Sequence, residues 1–365
     1  MRPLRIVHTE AATSFGGQEH RIFKEMLAMR DRGHHLEAVC QPHALLTERL
    51  RNEGFVVHTL LMDGPLNYLK GVARLAWLFR KGRYDVVNTH SRRDTVIAAM
   101  AGRLAGVPLI VRTRHLANKI GSLWSYTVLP HRVVTVSEHV RSLLLEKGVP
   151  PGNVAVVYSP IQLSEPVAHS TLRDELKLAR NDIVVGCVAV MRAKKGHRAL
   201  VDAIEPLIRE RPNLHLVFVG GGSPTFEEVQ AYVADKGLDR RVHLMGTRKD
   251  VPNLLAGFDL FALATEQEAS GTVFVEAAAA GLPVIGTDVG GVSEMMQAGQ
   301  TGFLVPVHDH QALVLSLKTL IDDADLRVRM GQAGFDLVRT QGRFSVERLV
   351  RDTEACYGRW LEDRA

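Results

Sequence analysis

Twice along this chain of 365 residues, short unbroken apolar runs rich in Val, Ile and Leu alternate with stretches of three- and four-residue periodicity. A run that is apolar at every position cannot be a strand with one wet face. It belongs in a parallel sheet covered by helices on both sides. In the first series the expected strands are residues 4–9, 36–40, 56–60, 85–89, 109–113 and 133–137. Helices are expected at 20–32, 43–52, 66–81, 95–105 and 138–147. The second series begins with the strong buried run IVVGCVAV at 183–190 and adds strands at 214–219, 242–245, 260–264, 283–287 and 302–306. Helices at 196–211, 227–236, 251–256 and 272–280, and a mostly helical stretch at 311–341, separate or follow them. The polar stretch from Ser159-Pro160 to about Asp182 reads as the linker between two domains. The expected fold class is α/β, with two Rossmann-like parallel-sheet domains facing across a cleft, and ligands at the carboxyl ends of the strands.

Charge is uneven between the halves. Residues 1–150 carry 22 Lys and Arg against 12 Asp and Glu, and the remainder 23 against 28, within a formal net charge of +5. A basic first half suits an anionic partner: a membrane surface, a phosphorylated substrate or nucleic acid. Nucleic acid fits poorly, because the cations are scattered through helices and strands rather than interleaved with aromatics along a groove. No run of 18 apolar residues exists to cross a bilayer, and MRPLRIVHTE turns polar too early for a leader's apolar core. Cys40, Cys187 and Cys356 match neither a disulfide framework nor a metal-ligand spacing, so a cytoplasmic location is expected, with peripheral contact at the inner face of the membrane left open.

Short motifs fall at or just after expected strand ends. In TEQEASGTVFVEAAAAGLPVIGTDVGG, residues 265–291, a strand turns into a helix beside Gly271, where first-turn amides and the helix dipole make a phosphate site. Glu268 precedes that turn and Glu276 lies within the helix; the plain alternative is a solvated helix face. In VMRAKKGH, residues 190–197, Arg192, Lys194 and Lys195 sit where cations could neutralise a leaving diphosphate, or are ordinary surface residues. FVGGGSP at 218–224 is a glycine turn without the spacing of a dinucleotide fingerprint. FGGQE at 15–19 places Gly16 and Gly17 where a backbone can approach a ligand, and it is not GxGxxG, which argues against a nicotinamide dehydrogenase. His90 and His115 end two strands, as ligand-facing or as hydrogen-bonded structural residues. HDH at 308–310 reads as a helix cap by Asp309 rather than a metal site.

Taken together and in this order, these motifs resemble glycosyltransferase family 4, the retaining enzymes of GT-B fold, over almost the whole chain. The most specific elements are the two glutamates eight apart, AxAAGLPVI and DVGGVSE; FGGQE, RxxKG, GTRKDVP and FDLFALAT follow the family's order. The resemblance implies an acceptor-binding domain at 1–162, a nucleotide-sugar domain at 163–343 and a C-terminal helix at 344–365 crossing back to the first domain. It implies that Arg192 and Lys195 hold the donor's diphosphate, with Gly16, Gly17, Gly271 and Thr272 also meeting phosphates or sugar. Glu276 would bind the ribose hydroxyls, with Ser270 beside the sugar; Glu268 would organise the transition state and His115 sit beside the reacting carbon. Two positions depart from the pattern: Ala269 and Ser270 stand where Gly and Phe are usual, and Met191 where Gly is common before the arginine.

The implied reaction moves a sugar from a nucleotide sugar, UDP-linked first and GDP- or ADP-linked as alternatives, to a glycan or glycolipid hydroxyl of the lipopolysaccharide or cell-envelope type. Retention of configuration is implied. No Asp-x-Asp motif stands in a suitable setting, so neither metal nor cofactor is expected. Two rivals remain: a nucleotide-sugar enzyme without acceptor, of epimerase type, and a non-catalytic nucleotide-sugar binder. Residues 66–83 mix Tyr68, Trp77 and Phe79 with Lys70, Arg74, Arg80, Lys81 and Arg83, and suit either a membrane surface or docking on the sheet. Residues 116–129 around Trp124 are a weaker candidate of the same kind.

Overall fold

The computed structural model describes residues 2–161 and 167–364. They fall into two compact units, Met1–Pro160 with Phe344–Ala365, and Ile161–Arg343. The boundary expected between residues 162 and 163 lies outside the described residues.

The first unit is a seven-stranded parallel sheet: β1 (Arg5–Glu10), β2 (His35–Cys40), β3 (Val56–Thr59), β4 (Val86–Thr89), β5 (Leu109–Arg114), β6 (Arg132–Thr135) and β7 (Val154–Val156). Their spatial order is β3-β2-β1-β4-β5-β6-β7. Period-two alternation sends neighbouring residues to opposite layers. Ile6, Val86, Leu109 and Val111 join Ile22, Met26 and Met29 on one face. Val7, Val87 and Ile110 join Leu75, Phe79, Ile97 and Ala98 on the other. The first face is completed by Leu349, Val350, Tyr357 and Trp360 of the helix Val346–Glu362, which packs on helix Gly17–Asp31.

The second unit repeats the plan with six parallel strands: β8 (Ile183–Val188), β9 (Leu214–Val219), β10 (Val242–Leu244), β11 (Leu260–Leu263), β12 (Val284–Thr287) and β13 (Gly302–Val305). Their order is β10-β9-β8-β11-β12-β13. Gly186 in β8 is there for space: a Cβ on it would sit 1.9 Å from the Phe258 ring. The expected elements recur with ends moved by a few residues, and three differences have clear causes. β7 is three residues long at a sheet edge, too short to register as a pattern. The helical stretch after residue 310 is two helices, His310–Asp322 and Ala324–Gln341, because Asp323 accepts from Leu326 N at 2.8 Å and caps a new start. The stretch before Asp182 is not all linker. The short helix Leu172–Glu175 buries Leu172 and is pinned to its unit by Ser170 Oγ donating to Asn253 O (2.6 Å) and by the Arg173–Asp259 ion pair (2.8 Å).

Candidate active site

In the second unit the carboxyl ends of β8, β9, β11 and β12 converge on one stitched set of loops. Lys194 O accepts from Glu266 N (2.8 Å) and from Thr265 Oγ1 (3.2 Å). Met191 N donates to Gly221 O (2.9 Å), so the loop after β8 is tied to both neighbours. The glycines of these loops are required by closeness. At Gly196, with φ +68°, a Cβ would meet Ala264 O at 1.8 Å; at Gly290, with φ +60°, it would meet Glu268 O at 1.7 Å. In the GGG turn, Gly220 and Gly222 pack backbone on backbone against Ala189 and Met191 while Gly221 faces Thr247, a structural role for that motif.

This scaffold brings two predicted site residues into contact. Lys195 Nζ donates to Glu268 Oε2 at 2.5 Å, both side chains being largely buried at 24% and 16% exposure. The other oxygen of Glu268 accepts from Ala269 N at 3.2 Å. Arg192 stands exposed in the same loop and, among the described residues, has no side-chain partner. Gly271, at φ +78°, is the N-cap of helix Thr272–Ala279, whose first amides have no acceptor within the helix. Thr272 opens that helix and Glu276, half-buried, lies one turn further on. Ser270 is buried, and its hydroxyl lies 3.9 Å from Met295 Sδ. His197, following Gly196, is a core residue edge-on to Phe218, its pKa pushed down to about 4 by burial and by Lys195.

In the first unit, β1, β4 and β5 lie side by side and deliver three histidines in a row. His8 Nδ1 lies 2.9 Å from His90 Nε2, and His90 Nδ1 lies 2.9 Å from His115 Nε2. The rings of His8 and His90 are stacked at 5.2 Å with 9° between planes. All three are buried. Burial holds each pKa below the ordinary histidine value, to about 3 for His8, with Arg21 adding to the effect. Next to them Asp94 accepts from His90 N and Thr9 Oγ1 (both 2.8 Å) and from Ser91 N (2.7 Å). Glu10 accepts from Ala12 N (2.7 Å) and from Gln18 Nε2. Burial raises both carboxyls, and Asp94 adds to the rise at Glu10. The sequence reading named His90 and His115 and missed His8, Glu10 and Asp94. The available signal was three polar residues, HTE, closing an otherwise apolar strand. Gly16 donates its N–H to Glu19 Oε2 (2.7 Å) at the start of helix Gly17–Asp31. Gly17 is exposed, and a Cβ on it would meet nothing within 4 Å.

Helix Pro65–Gly82 buries one stripe, Gly71, Leu75 and Phe79. A second stripe stays out: Leu66 (73% exposed), Leu69 (73%) and Trp77 (63%), bordered by Lys70, Arg74 and Lys81. Docking on the sheet and an outward apolar row therefore coexist. A cavity of about 400 Å³ lies between this helix and β2–β3, lined by Arg5, His58, Arg74 and Lys81 around Glu37. Leu116 and Trp124 are also exposed. Among the described residues no helix is long and apolar enough to cross a membrane. Likewise no group of three His, Cys, Asp or Glu is placed to hold a metal ion. Asp309 caps its helix by accepting from Ala312 N at 2.9 Å.

The geometry can be set beside known proteins. Residues 15–165 match the model of Glycosyltransferase Family 4, and residues 169–336 that of Glycosyl transferases group 1. The chain belongs to glycosyltransferase family 4. It is similar to the UDP-Gal:alpha-D-GlcNAc-diphosphoundecaprenol alpha-1,3-galactosyltransferase of Escherichia coli, 25% identical over 89% of this chain and 90% of that protein. It is also similar to a lipopolysaccharide core biosynthesis mannosyltransferase of Rhizobium meliloti, 33% identical over 180 residues, 47% of this chain and half of that protein. The crystal structure of a glycosyltransferase from Rickettsia africae superposes with a TM-score of 0.91 at 22% identity, covering 100% of both chains. The fold of this family 4 member is therefore GT-B. Its signature glutamates lie in two settings, Glu268 in the loop after β11 and Glu276 on the helix that follows.

Proposed function

We propose that this glycosyltransferase moves a sugar from a nucleoside diphosphate sugar, UDP-linked, to a hydroxyl of a lipid-carried or cell-envelope glycan, with retention and without a metal. The carrying observation is the Lys195–Glu268 pair beside the amino end of helix Thr272–Ala279. Breaking the sugar–phosphate bond puts negative charge on the leaving diphosphate and positive charge on the sugar ring. Lys195, Arg192 and the amides near Gly271 and Thr272 meet the first, and Glu268 the second. Glu276 binds the ribose hydroxyls, and Ser270 contacts the sugar once its hydroxyl turns from Met295. Gly16 and Gly17 contact phosphate, and His115 lies by the reacting carbon. The acceptor attacks from the face the diphosphate leaves, and a phosphate oxygen takes its proton. The UDP donor and lipid-linked acceptor are suggested by the name of the Escherichia coli relative.

The outward row Leu66, Leu69 and Trp77 with its basic border supports a second part of this reading, peripheral attachment to an anionic membrane. The test of the main reading is a thermal shift series with UDP, GDP, ADP, CMP and NAD, repeated on Glu276→Ala and Lys195→Ala. A ligand at 100 times its dissociation constant stabilises by about 2.7 kcal/mol. A shift with UDP that both variants lose supports the assignment; no shift, or an equal shift in the variants, overturns it. Release of free sugar and nucleotide from the UDP sugar without acceptor would favour the epimerase-type rival.

A further inference from the structure

The row His8–His90–His115 has a logical property that its two 2.9 Å contacts impose. A neutral imidazole has one N–H donor and one acceptor nitrogen. His90 uses both nitrogens within the row, so it donates in one direction and accepts in the other. If His90 donates from Nδ1, His115 accepts at Nε2 and carries its proton on Nδ1, while His8 donates from Nδ1. If His90 donates from Nε2, His8 accepts at Nδ1 and His115 donates from Nε2. The three rings must therefore share one tautomer, all Nδ1–H or all Nε2–H. The free end at His115 Nδ1 is a donor in the first register and an acceptor in the second.

We propose that His8 and His90 are positioning residues that, through this row, set whether His115 presents a hydrogen-bond donor or acceptor at Nδ1 to the sugar-transfer reaction. This deepens the reading of His115 given above and rests on it. Three observations support it. His8 lies within β1, and His90 and His115 are the first residues after β4 and β5, so the pairing of these adjacent strands fixes where each ring is rooted. All three rings are buried, and their pKa values are held low, so the rings stay neutral at neutral pH. Where a histidine is usually oriented by a carboxylate or a carbonyl, His115 has another histidine at Nε2. A hydrogen-bonded imidazole transmits a choice made further along; a carboxylate would fix one tautomer outright.

The experiment labels the histidine ring nitrogens with ¹⁵N in the full-length protein and reads each tautomer from ring ¹⁵N shifts at pH 7.5, assigning by single substitutions. The expected result is one tautomer common to His8, His90 and His115. In His8→Phe the signal of His115 becomes a mixture, and kcat falls about tenfold to a hundredfold with the donor KM unchanged. His8→Asn, whose carboxamide can donate to or accept from His90 Nε2 at the place of Nδ1, restores that hydrogen bond and most of kcat. If His8→Phe does not fold, His8→Gln replaces it, since its carboxamide reaches the Nε2 position and not Nδ1. Differing tautomers in the unaltered protein, or a His115 signal and kcat indifferent to these changes, overturns the proposal. Absence of sugar transfer from any nucleotide sugar would instead sink the functional reading, while the nitrogen shifts still decide the tautomer question.

Discussion

Lys195 Nζ lies 2.5 Å from Glu268 Oε2, although 73 residues separate them in the chain. The cation assigned to the diphosphate and the carboxylate assigned to the sugar thus hold one another in place before any ligand arrives. Lys195→Ala should weaken UDP binding about tenfold to a hundredfold, the worth of a hydrogen bond to a charged group. Glu268→Gln should bind UDP as well or better, because the ammonium is released, yet lose transfer by about a hundredfold or more. Titration calorimetry and initial rates separate the two effects. Equal losses of binding in both variants would make the pair a purely structural one.

Two glycines should behave in opposite ways. Gly290→Ala would place a methyl 1.7 Å from Glu268 O at a positive φ, and should cost about 2 kcal/mol or more of stability. Gly17→Ala meets nothing within 4 Å on the first turn of a helix, and should leave the melting temperature level or slightly higher. It should nevertheless weaken UDP binding severalfold if this backbone approaches phosphate. An unchanged affinity would remove Gly17 from the donor site.

The buried histidines make stability depend on pH. A ring held neutral in the fold but free to take a proton when unfolded contributes stability above pH about 6.5 that shrinks as pH falls. For His8 the loss continues down to its folded value of about 3. Glu10 and Asp94, raised by burial, act in the opposite sense and erode stability as pH climbs past the ordinary carboxylate range. Denaturant unfolding between pH 6 and 4.5 should therefore lose stability less steeply in His8→Asn, by about 1.4 kcal/mol per pH unit. Parallel curves for the variant and the parent would contradict this.

Membrane attachment predicts binding to vesicles containing phosphatidylglycerol and not to pure phosphatidylcholine, weakened by salt. Trp77→Glu with Leu69→Glu should abolish it, and removing the charge of Lys70, Arg74 or Lys81 should cost about 1 kcal/mol each. Co-sedimentation measures both. Indifference of the parent protein to lipid charge would end this part of the reading.

Much of the fold was legible because buried parallel strands advertise themselves. IVVGCV is an apolar run that only a covered sheet accommodates, and LRIVHT and LHLVFV are β-branched or leucine-rich runs broken by polar residues. β7 was not legible, since Val154–Val156 repeats too few residues to show a period. Residues 170–182 misled because their polar composition hides the pinning of Arg173 to Asp259. At the candidate site, the residue types and their loops could be read, but the partnerships could not. Nothing in local sequence ties Lys195 to Glu268 or His8 to His90; both contacts exist only because strand order brings distant segments together. The outward row on helix Pro65–Gly82 was half visible, as an apolar helix too rich in large residues for one buried stripe.

The sheet of the first unit is sealed by a helix encoded after the whole second unit. During synthesis, Ile22, Met26 and Met29 leave the ribosome long before Leu349, Tyr357 and Trp360 can cover them. At about 5–20 residues per second the interval is on the order of fifteen to seventy seconds. Over that time the whole second unit is synthesised while this face of the first sheet lacks its last helix. The unit that is begun first is thus the last to have its core closed.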